Sequence, residues 1–224
     1  MIPCFNSGPW LLEAVRSVMQ ANPGTESVIV DDGSTDGSGE LCDSLAEKDS
    51  RIIVVHQRNS GIAAAQNAGL ERAQGEFITF CDNDDLMAPR LVQRLLSALI
   101  ENAADMSCCR WRNPGASTAE AEMHAHADDP PGPTLIIDDP AQAYQRVFSL
   151  AHRRLAAAEL RYFSEANWGK LYRASLWRSV RFPEGRYAQD VAVSLDLYLQ
   201  MRRVASLADA LYYWIQRPQS VSHR

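Results

Sequence analysis

The chain of 224 residues has no apolar run long enough to cross a bilayer, which takes about 20 consecutive apolar residues. Its start lacks the basic region and apolar stretch of a secretory signal. No C-x-x-C pair occurs, and the five cysteines (Cys4, Cys42, Cys81, Cys108 and Cys109) are odd in number. A disulfide framework and a zinc site are therefore disfavoured. Cys81 and Cys108 sit inside apolar runs and read as small buried thiols in a reducing compartment. Positive charge is not in excess either. A net charge of -6 does not supply the basic face of a sequence-independent nucleic-acid binder, so no nucleic-acid partner is expected. No G-x-G-x-x-G follows a strand, which argues against a dinucleotide-dependent oxidoreductase. There is no internal repeat. The expectation is a cytoplasmic protein, with room for peripheral association at the inner face of the membrane.

What is present is ordinary in bulk and unusual in pattern. With 46% hydrophobic and 22% charged residues, the chain has the composition of a globular domain able to bury a sizeable core. Met1-Ile2-Pro3-Cys4-Phe5-Asn6 reads as the tail of a strand whose beginning is missing. Asn6-Ser7-Gly8-Pro9 starts a helix carrying Leu11, Leu12, Val15, Val18 and Met19 at helical spacing, which Asn22-Pro23-Gly24 ends. Val28-Ile29-Val30 and Ile52-Ile53-Val54-Val55 read as buried strands, with a helix marked by Leu41, Leu45 and Ala46 between them. Ser60 is placed to cap a helix over Ile62–Ala73, and Gly75 to end it. Phe77–Cys81 reads as a strand, Leu91, Leu95, Leu96, Leu99 and Ile100 as an amphipathic helix, and Met106–Cys109 as a strand. This alternation indicates an α/β fold with a mostly parallel central sheet flanked by helices.

The stretch 112–138, with Asn113-Pro114-Gly115 and Asp128-Asp129-Pro130-Pro131-Gly132-Pro133, reads as a long mobile loop. Its His124 and His126 read as solvated rather than metal-binding. Residues 139–160 read as a helix, followed by a helix over Val191–Val204 and a strand over Ala210–Ile215. The pairs Arg153-Arg154 and Arg202-Arg203 read as solvated helix faces in preference to a membrane-surface or anionic-substrate role. Tyr212-Tyr213-Trp214 reads as core strand in preference to an interfacial patch.

The polar clusters 31–38 and 82–85 both follow the carboxyl ends of strands, where open α/β sheets bind ligands. Asp82-Asn83-Asp84 places two carboxylates two apart on a turn, able to share one hard divalent cation and its water. Such a cation would neutralise charge on a departing diphosphate. An Asp-rich turn that only caps the next helix is the plainer alternative. Asp31-Asp32-Gly33-Ser34 offers a carboxylate that can accept from a pyrimidine N–H or a ribose hydroxyl, or can simply form a turn. The small residues of Gly61 to Gly69 permit close backbone approach to a ligand, or the packing of an ordinary Ala-rich helix.

Together these segments resemble the family 2 glycosyltransferases, which adopt the GT-A fold. The matching stretches are Ile2–Asn6, Val30–Asp36, Gly61–Gly75 and Phe80–Asp85, then Trp168-Gly169-Lys170-Leu171-Tyr172, Arg181–Gly185, Gln189-Asp190 and Leu211–Trp214. The resemblance implies a nucleotide-sugar donor, expected to be a UDP-sugar, a manganese or magnesium ion, and an inverting transfer to a saccharide or lipid-linked saccharide acceptor. It implies nucleotide contacts from Pro3, Phe5, Asp32, Gly61, Asn67 and Asp82, and metal ligation by Asp84. It implies Asp190 as general base, with Trp168, Lys170 and Gln189 on the acceptor side. Residues 1–111 would form the donor-binding part and 112–224 the acceptor-side part of one continuous domain.

Three positions depart from the family pattern. Gln189 replaces the usual glutamate, Gln66 a common arginine, and Gly169 the usual asparagine. Retention of Asp84 and Asp190 favours an active enzyme of altered specificity. The departures keep open a catalytically impaired nucleotide-sugar-binding or scaffold domain. A sugar nucleotidyltransferase is disfavoured, because Asn6-Ser7-Gly8-Pro9-Trp10 lacks the basic Gly-rich loop that would hold a triphosphate.

Overall fold

A computed structural model describes residues 1–21, 24–148, 166–186 and 188–217. Strand β1 (Ile2–Cys4) leads into α1 (Trp10–Ala21), then β2 (Ser27–Asp31), α2 (Ser38–Lys48), β3 (Ile52–His56) and α3 (Ile62–Arg72). β2 lies between β1 and β3 in a parallel three-stranded sheet. Every residue of β2 is buried, which is why it reads in sequence as an unbroken β-branched run rather than an alternating one.

The chain continues through β4 (Phe77–Ile78), β5 (Leu86–Met87), α4 (Leu91–Glu101), β6 (Met106–Arg112), α5 (Ala119–Ala125), β7 (Thr134–Ile137) and α6 (Pro140–Phe148). After β8 (Lys170–Arg173) and a 3-10 turn at Ala174–Trp177 come α7 (Gln189–Gln200) and β9 (Val204–Tyr213). Strands β4 to β9 form a second, mixed sheet in the order β4-β8-β6-β9-β5, with β7 also on β9. Among the described residues, β6 and β9 alone run parallel in it; the other pairs are antiparallel. Parallel pairing thus dominates the first sheet alone.

The two sheets meet where residues 79–81 run beside Met1. Cys81 N donates to Met1 O at 3.0 Å, and the Met1 ammonium donates to Thr79 O at 2.8 Å. The expected strand Phe77–Cys81 has its ladder only at Phe77–Ile78, with an isolated bridge joining Phe80 to Trp168. Helix α4 seals the second sheet with Leu91, Leu95 and Leu99, all fully buried. Each such leucine contributes roughly 1.5–3 kcal/mol on burial.

Several sequence expectations are corrected. Ser60 does not cap α3; its hydroxyl donates to Arg58 O, and Gly61 stands at the cap position. The stretch 112–138 carries α5 and β7. Ala119 and Met123 of α5 are buried against Tyr213 and Ile215, and β7 pairs with residues Val204–Leu207. The last helix ends at Gln200, and β9 begins at Val204. Arg202 and Arg203 therefore lie in a turn rather than on a helix. Both backbone N–H groups donate to Asp105 Oδ2, and Arg203 Nε lies 2.6 Å from Asp138 Oδ1. The expected helix 139–160 is seen as α6; its remainder and the Arg153-Arg154 pair lie outside the described residues.

Other expectations stand. All five cysteines are free and buried. Tyr212 and Tyr213 are core residues. Among the described residues, no helix is long and apolar enough to cross a membrane.

Candidate active site

Two polar loops at the carboxyl edge of the strands are tied together through the turn after β1. Ser7 N donates to Ser38 Oγ at 3.0 Å, and Asn83 Nδ2 donates to Ser7 Oγ. Asn6 adds two links, from its N–H to Ser34 Oγ and from Thr35 N to its Oδ1. The clusters 31–38 and 82–85 thus converge on one edge, with Ser7 as the shared partner.

Asp32 is 3% exposed. Its carboxylate accepts from Ser60 N and Gly61 N, both at 2.8 Å, and from Gln57 Nε2 at 2.7 Å. It closes the amino end of α3 from a neighbouring strand, satisfying backbone donors that the helix itself leaves open. Gly33, at φ +75, makes this possible: a Cβ there would come within 2.8 Å of Asn59 N. Asn67 likewise has a structural bond pair, donating to Phe182 O and accepting from Phe182 N, both at 2.9 Å. Pro3 is buried in β1 opposite Val30, whereas the Phe5 ring, just past the strand end, is 48% exposed.

Asp82, Asp84 and Asp85 take different environments on one turn. Asp85 is buried and accepts from Tyr212 Oη and Ile215 N, both at 2.8 Å. Burial and the neighbouring Asp82 and Asp84 charges push its carboxyl well above the usual range. The same Tyr212 oxygen accepts from Asp82 N at 3.1 Å, so one phenol fixes both ends of the turn. Asp82 is pushed up to about 7, first by desolvation, then by the charges of Asp84 and Asp190. Asp190, half-buried in the first turn of α7, therefore lies within electrostatic reach of Asp82.

Asp84 Oδ2 lies 2.8 Å from Arg217 Nη1, whose guanidinium stacks over Trp10 at 4.2 Å. Among the described residues, no group of three or more His, Cys, Asp or Glu side chains converges as a metal cage. The donor set nevertheless suits a hard cation. Mutual repulsion that lifts Asp82 is what a divalent ion relieves, and magnesium-type sites commonly use one or two carboxylates with phosphate and water.

The proposed acceptor-side residues separate. Trp168 stacks on Tyr212 with ring centroids 4.6 Å apart and planes at 6°, and meets Trp111 edge-on at 5.4 Å. Lys170 is 2% exposed and donates to Ala166 O at 2.6 Å, with Nζ 5.9 Å from the Tyr198 ring centroid. Its ammonium is inside the protein and organises the backbone before β8. Gln189 is half-buried beside Asp190, next to Ala188 at φ +53. Gly169 has φ +67, a left-handed conformation that both glycine and asparagine tolerate, so its departure from asparagine keeps the backbone shape. Gln66 is buried, and its Oε1 has no hydrogen-bond partner.

Sequence reading missed Arg217 and the Tyr212 hydroxyl. In sequence Tyr212 shows as a core-strand residue within the matching stretch Leu211–Trp214, with no sign of what its hydroxyl bonds. Nothing in the spacing pointed from position 217 back to Asp84.

Comparison with known proteins places this arrangement. The family described as Glycosyl transferase family 2 matches residues 1–169. Glycosyltransferase GlyG of Streptococcus pneumoniae is 30% identical over 226 residues, covering 99% of this chain and 71% of that protein. Glycosyltransferase GlyA of the same organism is 30% identical over 227 residues, and the chain spans 31% of its length. Among solved structures, S. aureus TarS 1–349 in complex with UDP-GlcNAc superposes with a TM-score of 0.72 at 22% identity, over 98% of this chain and 58% of that one. Mannosyltransferase PcManGT from Pyrobaculum calidifontis, in complex with GDP-Man and Mn2+, gives 0.67 at 18% identity, over 98% and 56%. These likenesses identify the fold as GT-A type.

Proposed function

Because the chain belongs to glycosyl transferase family 2, we propose that it transfers a sugar from a UDP-sugar to an acceptor hydroxyl, with inversion, in building a cell-surface polysaccharide or glycoconjugate. The observation that carries the reading is the convergence of the 31–38 and 82–85 clusters on one edge through Ser7, with Asp190 in the first turn of α7 near enough for its charge to help raise Asp82. The solved TarS complex with UDP-GlcNAc and the PcManGT complex with GDP-Man support a nucleotide-sugar donor.

Phe5, exposed past β1, is suited to lie against the base, with Pro3 behind it. Asp32 and Gly61 form a closed bracket whose role is to shape the base pocket, and Asn67 holds the 182–184 segment against it. A divalent cation, manganese or magnesium, would be held by Asp84 with Asp82 beside it and would supply positive charge to the diphosphate. Asp190 accepts the acceptor proton as the hydroxyl attacks, since an alcohol is a poor nucleophile at neutral pH. Attack on the face opposite the departing diphosphate inverts the anomeric carbon. Trp168 offers a ring face to the acceptor, and Gln189 a neutral amide beside the base. Lys170 acts from inside, setting the backbone that carries Trp168.

Calorimetric titration of UDP, GDP and dTDP, each with and without manganese, tests the donor site. Metal-dependent preference for UDP supports it; no binding of any of the three by folded protein overturns it. Asp190→Asn should keep UDP affinity while sugar transfer falls by at least about a hundredfold. Normal turnover in that variant would remove Asp190 from the base role.

A further inference from the structure

The chain after β9 delivers a cation to the turn that carries Asp84. Three backbone bonds pin the residues just before it. Trp214 N donates to Arg112 O at 2.9 Å, Ile215 N to Asp85 Oδ1 at 2.8 Å, and Gln216 N to Pro114 O at 3.2 Å. Arg217 therefore leaves a fixed backbone, and its side chain is only 11% exposed. Its Nη1 lies 2.8 Å from Asp84 Oδ2 and also donates to the Asp84 main-chain oxygen. The guanidinium carbon lies 4.2 Å from the Trp10 ring centroid, a contact that favours a cation.

The place of this pair gives it a consequence for the cation. Among the described residues, no three His, Cys, Asp or Glu side chains converge. An ion on the Asp82–Asp85 turn thus depends on few protein oxygens. Asp85 is already engaged, since Tyr212 Oη and Ile215 N both donate to its buried carboxylate. Asp84 is left to the ion together with Asp82, and Asp84 already holds a guanidinium at contact distance. A divalent ion at the same carboxylate meets that positive charge in a partly buried setting, where water and salt screen it less than at an open surface.

Two features mark Arg217 as a competitor rather than a brace. The turn has its own ties. Tyr212 Oη bonds both Asp82 N and Asp85 Oδ2, and Asp85 N donates to Asp82 O at 3.3 Å. The guanidinium is also held short of full satisfaction, because its Nε is buried without a hydrogen-bond partner. A buried donor left unmet raises the free energy of the paired state and eases its opening.

We propose that Arg217 competes with the divalent cation for the Asp84 carboxylate, so that this ion pair sets the cation affinity of the nucleotide-free protein. This rests on the reading of Asp84 as the cation ligand given above. Arg217 acts through Asp84 and is itself neither a ligand of the ion nor a catalytic residue. The ion enters as the Nη1–Oδ2 contact opens, and the released guanidinium gains the water that its Nε lacks in the closed pair.

The test is manganese binding to the full chain without nucleotide, read from the electron paramagnetic resonance signal of the unbound ion. Wild type is compared with Arg217→Met, which keeps a long side chain beside Trp10 without the charge, and with Arg217→Lys, which keeps the charge. Arg217→Met is expected to bind manganese at least about tenfold more tightly than wild type, while Arg217→Lys stays near the wild-type value. The gain should vanish when Asp84→Asn is added to Arg217→Met. Equal affinity in Arg217→Met and wild type overturns the proposal and leaves the cation reading standing. Weaker binding by Arg217→Met also overturns it and makes Arg217 a brace for Asp84. A gain that survives Asp84→Asn overturns it by placing the ion elsewhere. No manganese binding by either protein, even with saturating UDP, sinks the cation reading along with the proposal; UDP binding in that same sample keeps the nucleotide site. If Arg217→Met does not fold by circular dichroism, Arg217→Gln takes its place.

Discussion

Arg217 Nη1 lies 2.8 Å from Asp84 Oδ2 and also donates to the Asp84 main-chain oxygen. A residue from the last described segment therefore holds the carboxylate proposed to bind the cation, 133 positions earlier. The Trp10 ring under the guanidinium keeps that side chain in place and half shields the pair from water.

Asp84→Asn keeps the shape of the turn and removes its charge. Metal-dependent UDP binding should weaken by at least about tenfold, while any metal-independent binding is retained. Calorimetry with and without manganese reads this directly. Unchanged binding with manganese would reassign the ligand.

Asp32→Ala removes a buried carboxylate and leaves two backbone donors and one amide at the start of α3 without their acceptor. Stability should fall by about 2–4 kcal/mol, read from urea unfolding. A fully stable variant with lost UDP binding would show that Asp32 serves the ligand and not the helix.

Tyr212→Phe removes only a hydroxyl, yet that oxygen bonds Asp82 N and Asp85 Oδ2 at once. The expected cost is about 1–3 kcal/mol, since Asp85 stays buried with one partner fewer. Manganese-dependent UDP binding should weaken in step, because the Asp82–Asp85 turn loses its clamp. Loss of stability with intact metal-dependent binding would show that the turn holds its shape without the phenol.

His56 lies between two carboxylates, with Nε2 2.9 Å from Asp43 Oδ1 and Nδ1 2.9 Å from Asp31 Oδ2. Asp43 first, then Asp31, raise its pKa above the ordinary 6.5. A raised folded pKa contributes stability that is full below the unfolded value and is lost as pH rises through the folded one. Asp31 runs the other way: burial alone would lift it, but Ser34 and His56 outweigh that and lower it. Its contribution is lost only when pH falls into the acid range. The advantage of wild type over His56→Gln in Tm should therefore be largest near about pH 5.5 and shrink by about pH 8.5. Parallel Tm curves across that window would rule out a charged imidazole.

Much of the fold was legible because its first half obeys local rules. Val28–Val30 is unbroken and β-branched because β2 is covered on both faces. Leu91, Leu95 and Leu99 repeat every fourth residue because α4 presents one face to the sheet. Strand ends followed by Asp-rich turns also show directly in sequence, and so placed Asp31–Asp32 and Asp82–Asp84 at one edge. The stretch 112–138 was misread for a physical reason. Its α5 is seven residues with charge in its first turn and its β7 only four residues, too short to show a period, and both gain their stability from Tyr213, Ile215 and β9, which lie far along the chain.

The sequence by itself determined the alternating α/β frame, the positions of the carboxylates and the family, since periodicity, turn chemistry and ordered motifs are local properties. Tertiary structure alone decided what those carboxylates face. Asp32 turns to the start of α3, Asp85 to Tyr212 and Ile215, and Asp84 to Arg217. It likewise gathered Arg90, Arg94, Arg110 and Arg112 around one cavity. Such partners are set by which strands pair and in what register, and those pairings depend on contacts across the whole chain.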